Sequence, residues 1–106
     1  MTLYVINALR YYSFMIVSFK DSDTEALARG FRVASFQAFE EVARRKLRQL
    51  EIAGALQDLR VPPGNRLEAL KGTRSGQHSI RINDQYRICF TWTAAGAEEV
   101  EIVDYH

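Results

Sequence analysis

The sequence predicts an α+β domain, a small antiparallel sheet with its helices gathered on one side. Three observations predict it. Ser79 to Asn83 and Tyr86 to Thr93 both alternate with period two, joined by the short polar link Asn83-Asp84-Gln85, as an antiparallel hairpin requires. Phe36, Phe39, Ala43, Leu47 and Leu50 recur at three- and four-residue steps, the stripe of an amphipathic helix. The elements come in the order strand, helix, helix, then three or four consecutive strands.

Taken along the chain, residues 1–14, MTLYVINALRYYSF, stand apart. They lack the basic start, long apolar run and small-residue cleavage site of a signal peptide, and are too short to span a membrane. Met15 is read as the natural start, with 1–14 an extension outside a single domain of residues 15–106. Ile16 to Phe19 reads as the first strand. Ser22-Asp23-Thr24-Glu25 fits a capping box with Ser22 as N-cap, opening a short helix to about Arg29 that Gly30 ends in the left-handed conformation. Ser35 precedes the main helix, about Phe36 to Ala53. Its acids Glu40 and Glu41 stand four residues before Arg44 and Arg45, the favourable order. Arg44, Arg45, Lys46 and Arg48 are accordingly read as mainly a solvated face. A helical turn follows over Ala55 to Arg60. Pro63-Gly64 suits the centre of a type II turn, with Gly64 supplying the positive φ. Leu67 to Lys71 is a further strand, and Gly72 to Gly76 a loop. After the hairpin, the chain turns through Gly96 into a last strand carrying Val100, Ile102 and Val103.

The helix stripe is expected to cover Ile80, Ile82, Ile88 and Phe90. The opposite face, with Arg81 and Arg87, is left open to water. Cations on the open face of a small sheet suggest an anionic ligand. The chain as a whole is close to neutral, at +1, but its charge is unevenly spread. Val42 to Arg87 holds ten Lys/Arg against four acids, whereas Glu98 to Asp104 holds four acids and no Lys or Arg. A basic middle fits nucleic acid as well as it fits solvated helix faces. The single cysteine, Cys89, excludes an internal disulfide and reads as strand packing. One Cys and the distant His78 and His106 make no zinc site, so no metal is expected.

From Met15 to His106 the chain resembles the HigB group of the RelE/ParE toxin superfamily. The residues that carry the likeness are MIVSFKD, LRVPPGNRLEALKG, SIRINDQYRICFTW and the closing VEIVDYH, in that order. The resemblance implies a microbial-RNase-like fold. It implies a cytoplasmic toxin that enters the ribosomal A site and cleaves translating mRNA, without metal or organic cofactor. It also implies a HigA-like helix-turn-helix antitoxin as partner, with operator DNA bound only through that antitoxin, and no membrane. By position, Lys71, Arg87, Tyr105 and His106 are implied in catalysis, with Asp104 beside them. Asn83 and Gln85 fall where relatives contact RNA, and Arg81 joins them from the same strand face. Two positions depart from the pattern. Some relatives have Arg where this chain has Asn83, and His where it has Glu68. Arg81 is placed to replace the first charge, and the second change puts more weight on His106.

These residue types suit metal-free RNA cleavage. The 2′-hydroxyl attacks its own phosphate, so the protein must supply proton transfer and stabilise the charge of the phosphorane. His106 titrates in the right range. Arg87 and Lys71 can stabilise developing charge. Tyr105 can stack on a base or carry a proton, and Asp104 can orient His106. Plainer readings stand beside these: Arg87 could pair with Glu99 or Glu101 across the sheet, Lys71 could be a solvated strand end, and His78 a surface residue. Two other functions also stand, a ParE-like gyrase-inhibiting toxin without nuclease activity and an RNA-binding module that has lost catalysis.

Overall fold

The computed structural model describes residues 16–105. The proposed extension and the terminal His106 therefore lie outside the described residues. Two helices, α1 (Ser22–Ala28) and α2 (Glu40–Ile52), pack on one face of a four-stranded antiparallel sheet. Its strands β1 (Glu68–Ala69), β2 (His78–Arg81), β3 (Tyr86–Thr93) and β4 (Gly96–Asp104) lie side by side in chain order. The α+β architecture expected from the alternation and the helical stripe is the one formed. Among the described residues no helix is long and apolar enough to cross a membrane.

The segment read as the first strand joins β4 in parallel, through isolated bridges Ile16↔Ala97 and Phe19↔Val100. Val17 N–H donates to the Ala97 carbonyl and Lys20 N–H to that of Val100. The cap of α1 falls one residue earlier than the capping box suggests. Asp21 is the N-cap, its carboxylate accepting from Thr24 N–H at 2.9 Å, and Ser22 is the first helical residue. An aspartate caps as well as a serine. Thr24 is thereby buried, its Oγ1 accepting from Ile102 N–H at 3.1 Å and tying α1 to β4. Gly30 ends the helix at φ +97°, as read.

The main helix does not begin as an α-helix. Ala34–Phe39 is a 3₁₀ segment, and α2 starts at Glu40. Val33, Phe36 and Phe39 are spaced by three, and a 3₁₀ turn places such residues one above the other. All three are buried, and Phe39 stacks on Tyr86 with centroids 4.3 Å apart. From there Ala43, Leu47 and Leu50 continue the stripe at α-helical spacing. With Leu27, Ile80, Ile82, Ile88, Phe90, Ala97 and Val100 they form the core.

Two expectations about the second half are corrected. Pro63–Asn65 is a 3₁₀ turn, and the positive φ falls on Arg66 at 45° rather than on Gly64. The peptide Val61–Pro62 is cis. The second sheet face is also not open throughout. Ser79 and Cys89 are 0% exposed, and Leu70 is buried apart from the main core. Glu68↔Ser79 pairing brings the chain around Leu70 onto this face. Arg74 anchors the following turn there, 2.9 Å from Glu101. The end of the face near Arg81 and Arg87 is left as a cleft.

Candidate functional site

The hairpin register decides what the cleft contains. Ile80 lies opposite Ile88 on the core face, so Arg81 lies opposite Arg87 on the other. Like charges directly opposed across a strand pair repel, and each arginine is compensated locally. Arg81 forms an ion pair with Asp84 in the turn. Arg87 is held more tightly. Its Nε donates to Ser79 Oγ at 2.7 Å and its Nη2 to the Arg66 carbonyl at 2.7 Å, with Glu68 Oε1 3.5 Å away. The side chain is 12% exposed. Neither Glu99 nor Glu101 is its partner: Glu101 takes Arg74 and Lys20, and Glu99 meets Ser18.

The turn and the chain end close the cleft. Asn83 Oδ1 accepts from Gln85 N–H at 2.9 Å and Tyr86 N–H at 2.8 Å, an Asx-type turn. Gln85 Nε2 donates to Asp104 Oδ2 at 2.9 Å, and the Gln85 carbonyl accepts from Tyr105 N–H at 2.7 Å. The hairpin turn thus holds the end of β4, and the Tyr105 ring comes to 5.8 Å from the Arg87 guanidinium. Arg66, Arg81, Asn83, Asp84, Arg87 and Tyr105 line a cleft of about 370 Å³. Three guanidinium groups and the Asp84 carboxylate line it, with the Glu68 carboxylate beside Arg87, so positive charge is in excess. Such a cleft attracts an anion, and a planar guanidinium matches phosphate oxygens in pairs.

Of the residues chosen from sequence, Arg81, Asn83, Arg87 and Tyr105 meet in this cleft. Gln85 and Asp104 stand behind it and hold its turn to its chain end. Lys71 does not line the cleft. It is exposed where the 72–74 turn begins, its carbonyl accepting from Arg74 N–H at 3.2 Å. His106 lies outside the described residues.

Arg66 was missed, because as one basic residue after a Pro-Gly turn it looks no different from Arg60. Lys46 was misplaced. It is not solvated with Arg44 and Arg45 but 8% exposed, its Nζ donating to Asn65 Oδ1. Burial pushes its pKa below the ordinary lysine value, and the charges of Arg45 and Arg81 push it further down. Its spacing of three from Ala43 and four from Leu50 was the available signal. Burial likewise raises the Cys89 thiol, the opposite of what a nucleophilic cysteine needs. Among the described residues, no group of three His, Cys, Asp or Glu could hold a metal ion.

The family described as the RelE-like toxin of type II toxin-antitoxin system HigB matches residues 18–106. Toxin HigB-1 of Vibrio cholerae is 51% identical over 55 residues, covering 52% of this chain and 58% of that protein. An uncharacterized protein of Haemophilus influenzae is 38% identical over 52 residues, 49% of this chain and 52% of that one. The chain thus spans between half and two thirds of the length of these relatives. Among solved structures, the YoeB-YefM complex from Staphylococcus aureus contains a chain of the same fold. The match covers 90% of this chain and 99% of that one, at a TM-score of 0.54 and 20% identity.

Proposed function

The chain belongs to the HigB-like family of RelE-like toxins, and from that membership we propose that it is an endoribonuclease acting on translating mRNA. The observation that carries the reading is the Arg87 guanidinium, fixed by two 2.7 Å hydrogen bonds in a cleft with two further arginines and an aromatic ring. A pre-oriented cation with little freedom left is suited to charge that appears only in the transition state.

In this mechanism the mRNA lies with one phosphate against Arg87. The 2′-hydroxyl gives up its proton to water at the site as its oxygen attacks that phosphorus, and the phosphorane charge falls on the Arg87 N–H groups. The P–O5′ bond breaks, leaving a 2′,3′-cyclic phosphate on one fragment and a 5′-hydroxyl on the other. Tyr105 stacks on a base or passes a proton. His106 protonates the leaving oxygen, with Asp104 near the same chain end. Lys71, outside the cleft lining, adds a further positive charge for the phosphate. Arg81 binds a neighbouring phosphate, with Asn83 and Gln85 at the turn beside it. The ribosomal A site supplies the alignment of the RNA that a small cleft cannot impose alone. The reaction as written uses no metal. The activity is cytoplasmic and is held in check by a HigA-like helix-turn-helix antitoxin, through which alone the toxin meets operator DNA. That a chain of the same fold was solved in a YoeB-YefM complex supports a protein partner.

The test is induction of the chain in cells with mapping of mRNA 5′ ends. Arg87→Ala and a chain ending at Asp104 run beside it. The reading expects growth arrest and new cuts at codon-phased positions, with cyclic-phosphate ends, absent in both variants. Arrest with DNA damage and no new cuts would move the protein to the gyrase-inhibiting class. Folded protein that causes no arrest would make it an RNA-binding module without catalysis.

A further inference from the structure

The three arginines of the cleft differ in their commitments. Arg81 is paired with Asp84, and Arg87 commits Nε to Ser79 and Nη2 to the Arg66 carbonyl, beside Glu68, which leaves its Nη1 for the scissile phosphate. The Arg66 guanidinium has no carboxylate and no hydrogen-bond acceptor among the described residues. An incoming anion shares Arg81 with Asp84, but meets no carboxylate of the described residues on Arg66.

The backbone of Arg66 is the opposite of free. Its φ of 45° is a conformation that a residue with a Cβ adopts at a cost. Such geometry persists only where the surroundings enforce it, and it clusters at functional sites. Here the enforcing residue is Asn65, 0% exposed. Its Nδ2 donates to Gln49 Oε1 at 2.9 Å and to the Leu59 carbonyl at 3.1 Å, and its Oδ1 accepts from Lys46 Nζ. Arg66 N–H bonds to the Pro63 carbonyl at 3.1 Å, and its own carbonyl accepts from Arg87. A buried lysine of α2 is thus linked through one buried amide to the wall of the cleft.

We infer that Arg66 is a further phosphate-binding residue of this cleft, contacting the backbone of single-stranded RNA, and that Lys46 and Asn65 position it. This rests on the endonuclease reading above and extends it to a specific contact.

The test uses the full chain in a cell-free translation extract with one defined mRNA, measuring the initial cutting rate against the concentration of translating ribosomes. Arg66→Asn removes the charge while keeping a residue that tolerates the left-handed conformation. Its half-saturating concentration should rise about tenfold, the scale of one lost charge-assisted hydrogen bond. Its maximal rate should stay within about twofold of the unmodified chain, because a ground-state contact is lost and no transition-state one. Arg66→Lys should restore most of the half-saturation. Lys46→Met should raise half-saturation too, and adding it to Arg66→Asn should raise it no further, since it acts through Arg66. Lys46→Gln still donates to Asn65 without a charge, and should behave as the unmodified chain.

Unchanged half-saturation in Arg66→Asn overturns the phosphate contact. Independent, multiplying effects of Lys46→Met and Arg66→Asn overturn the positioning role, and so does a Lys46→Gln chain that folds but loses its maximal rate. If Lys46→Met fails to fold, Gln49→Ala, which removes an acceptor of the Asn65 amide, takes its place in the same comparison with Arg66→Asn. An unmodified chain that cuts nothing overturns the endonuclease reading and this one together. One that cuts normally beside an unaffected Arg66→Asn overturns this one alone.

Discussion

Arg87 serves the fold and the site at once, and the two roles can be separated. Ser79 Oγ has no access to water, and Arg87 Nε is the donor it accepts from. Arg87→Ala therefore leaves a buried hydroxyl oxygen without its donor, a loss of about 1–3 kcal/mol. We expect this variant to unfold at lower urea concentration as well as to lose cutting. Ser79→Ala combined with Arg87→Ala removes both partners and should recover part of the lost stability, with no recovery of cutting. Urea titrations of the two chains, beside the cutting assay, check this. If stability recovers and cutting returns with it, Arg87 acts only by keeping the hairpin folded. The arginine pair is legible from sequence and its partners are not. Period-two alternation places Arg81 and Arg87 on one face. The choice of Glu68 over Glu99 or Glu101 depends on where the 66–77 segment folds, which alternation does not determine.

The last strand shows how one residue can set the facing of a whole element. Thr91 pairs with Glu98 but Cys89 with Glu101, so β4 carries one more residue than β3 over this stretch. Glu99 is the extra residue, at φ 53°. The bulge turns Val100 back onto the core face opposite Phe90 while Ala97 and Ile102 also point inward. The sequence carries the trace of this, since Ala97, Val100 and Ile102 are spaced three and then two. Local rules alone make of it a turn followed by a strand. Ser18 Oγ accepts from Glu99 N–H at 2.9 Å, so the first segment of the chain holds the bulge in place. Because Glu99 is an exposed residue in a left-handed conformation, Glu99→Gly should stabilise the protein by about 0.5–1 kcal/mol. A higher urea midpoint with an unchanged slope checks it. A lower midpoint would mean that the 3.3 Å contact of Glu99 Oε2 with Ser18 Oγ outweighs the backbone strain. Other elements divide in the same way. The hairpin, the helix stripe and the Gly30 stop follow from local rules. The left-handed Arg66 and the buried Lys46 do not, because both depend on Asn65, which lies nineteen residues from Lys46.

At the scale of the molecule, the sheet separates what holds the fold from what is proposed to act. One face carries the helices and the core cluster; the other carries the Arg87 cleft at one end and the buried Ser79 and Cys89 behind it. The last described residue belongs wholly to the cleft. Tyr105 is exposed, is absent from the core, and is tied to the rest by its N–H to the Gln85 carbonyl and by its ring beside Arg87. A chain ending at Asp104 should therefore lose about 0.5–1.5 kcal/mol, the value of one hydrogen bond, and remain folded. Its cutting should disappear, since the ring and the terminal imidazole leave together. Arg87→Ala loses cutting together with about 1–3 kcal/mol, whereas this truncation should lose cutting with the smaller loss just given, so the two variants distinguish damage to the fold from damage to the site. A truncated chain that still cuts at the same positions would remove Tyr105 and His106 from the mechanism and leave the chemistry to the arginines and Lys71. A truncated chain that unfolds would instead make the β4 end part of the core's support, joining the two faces that the sheet here keeps apart.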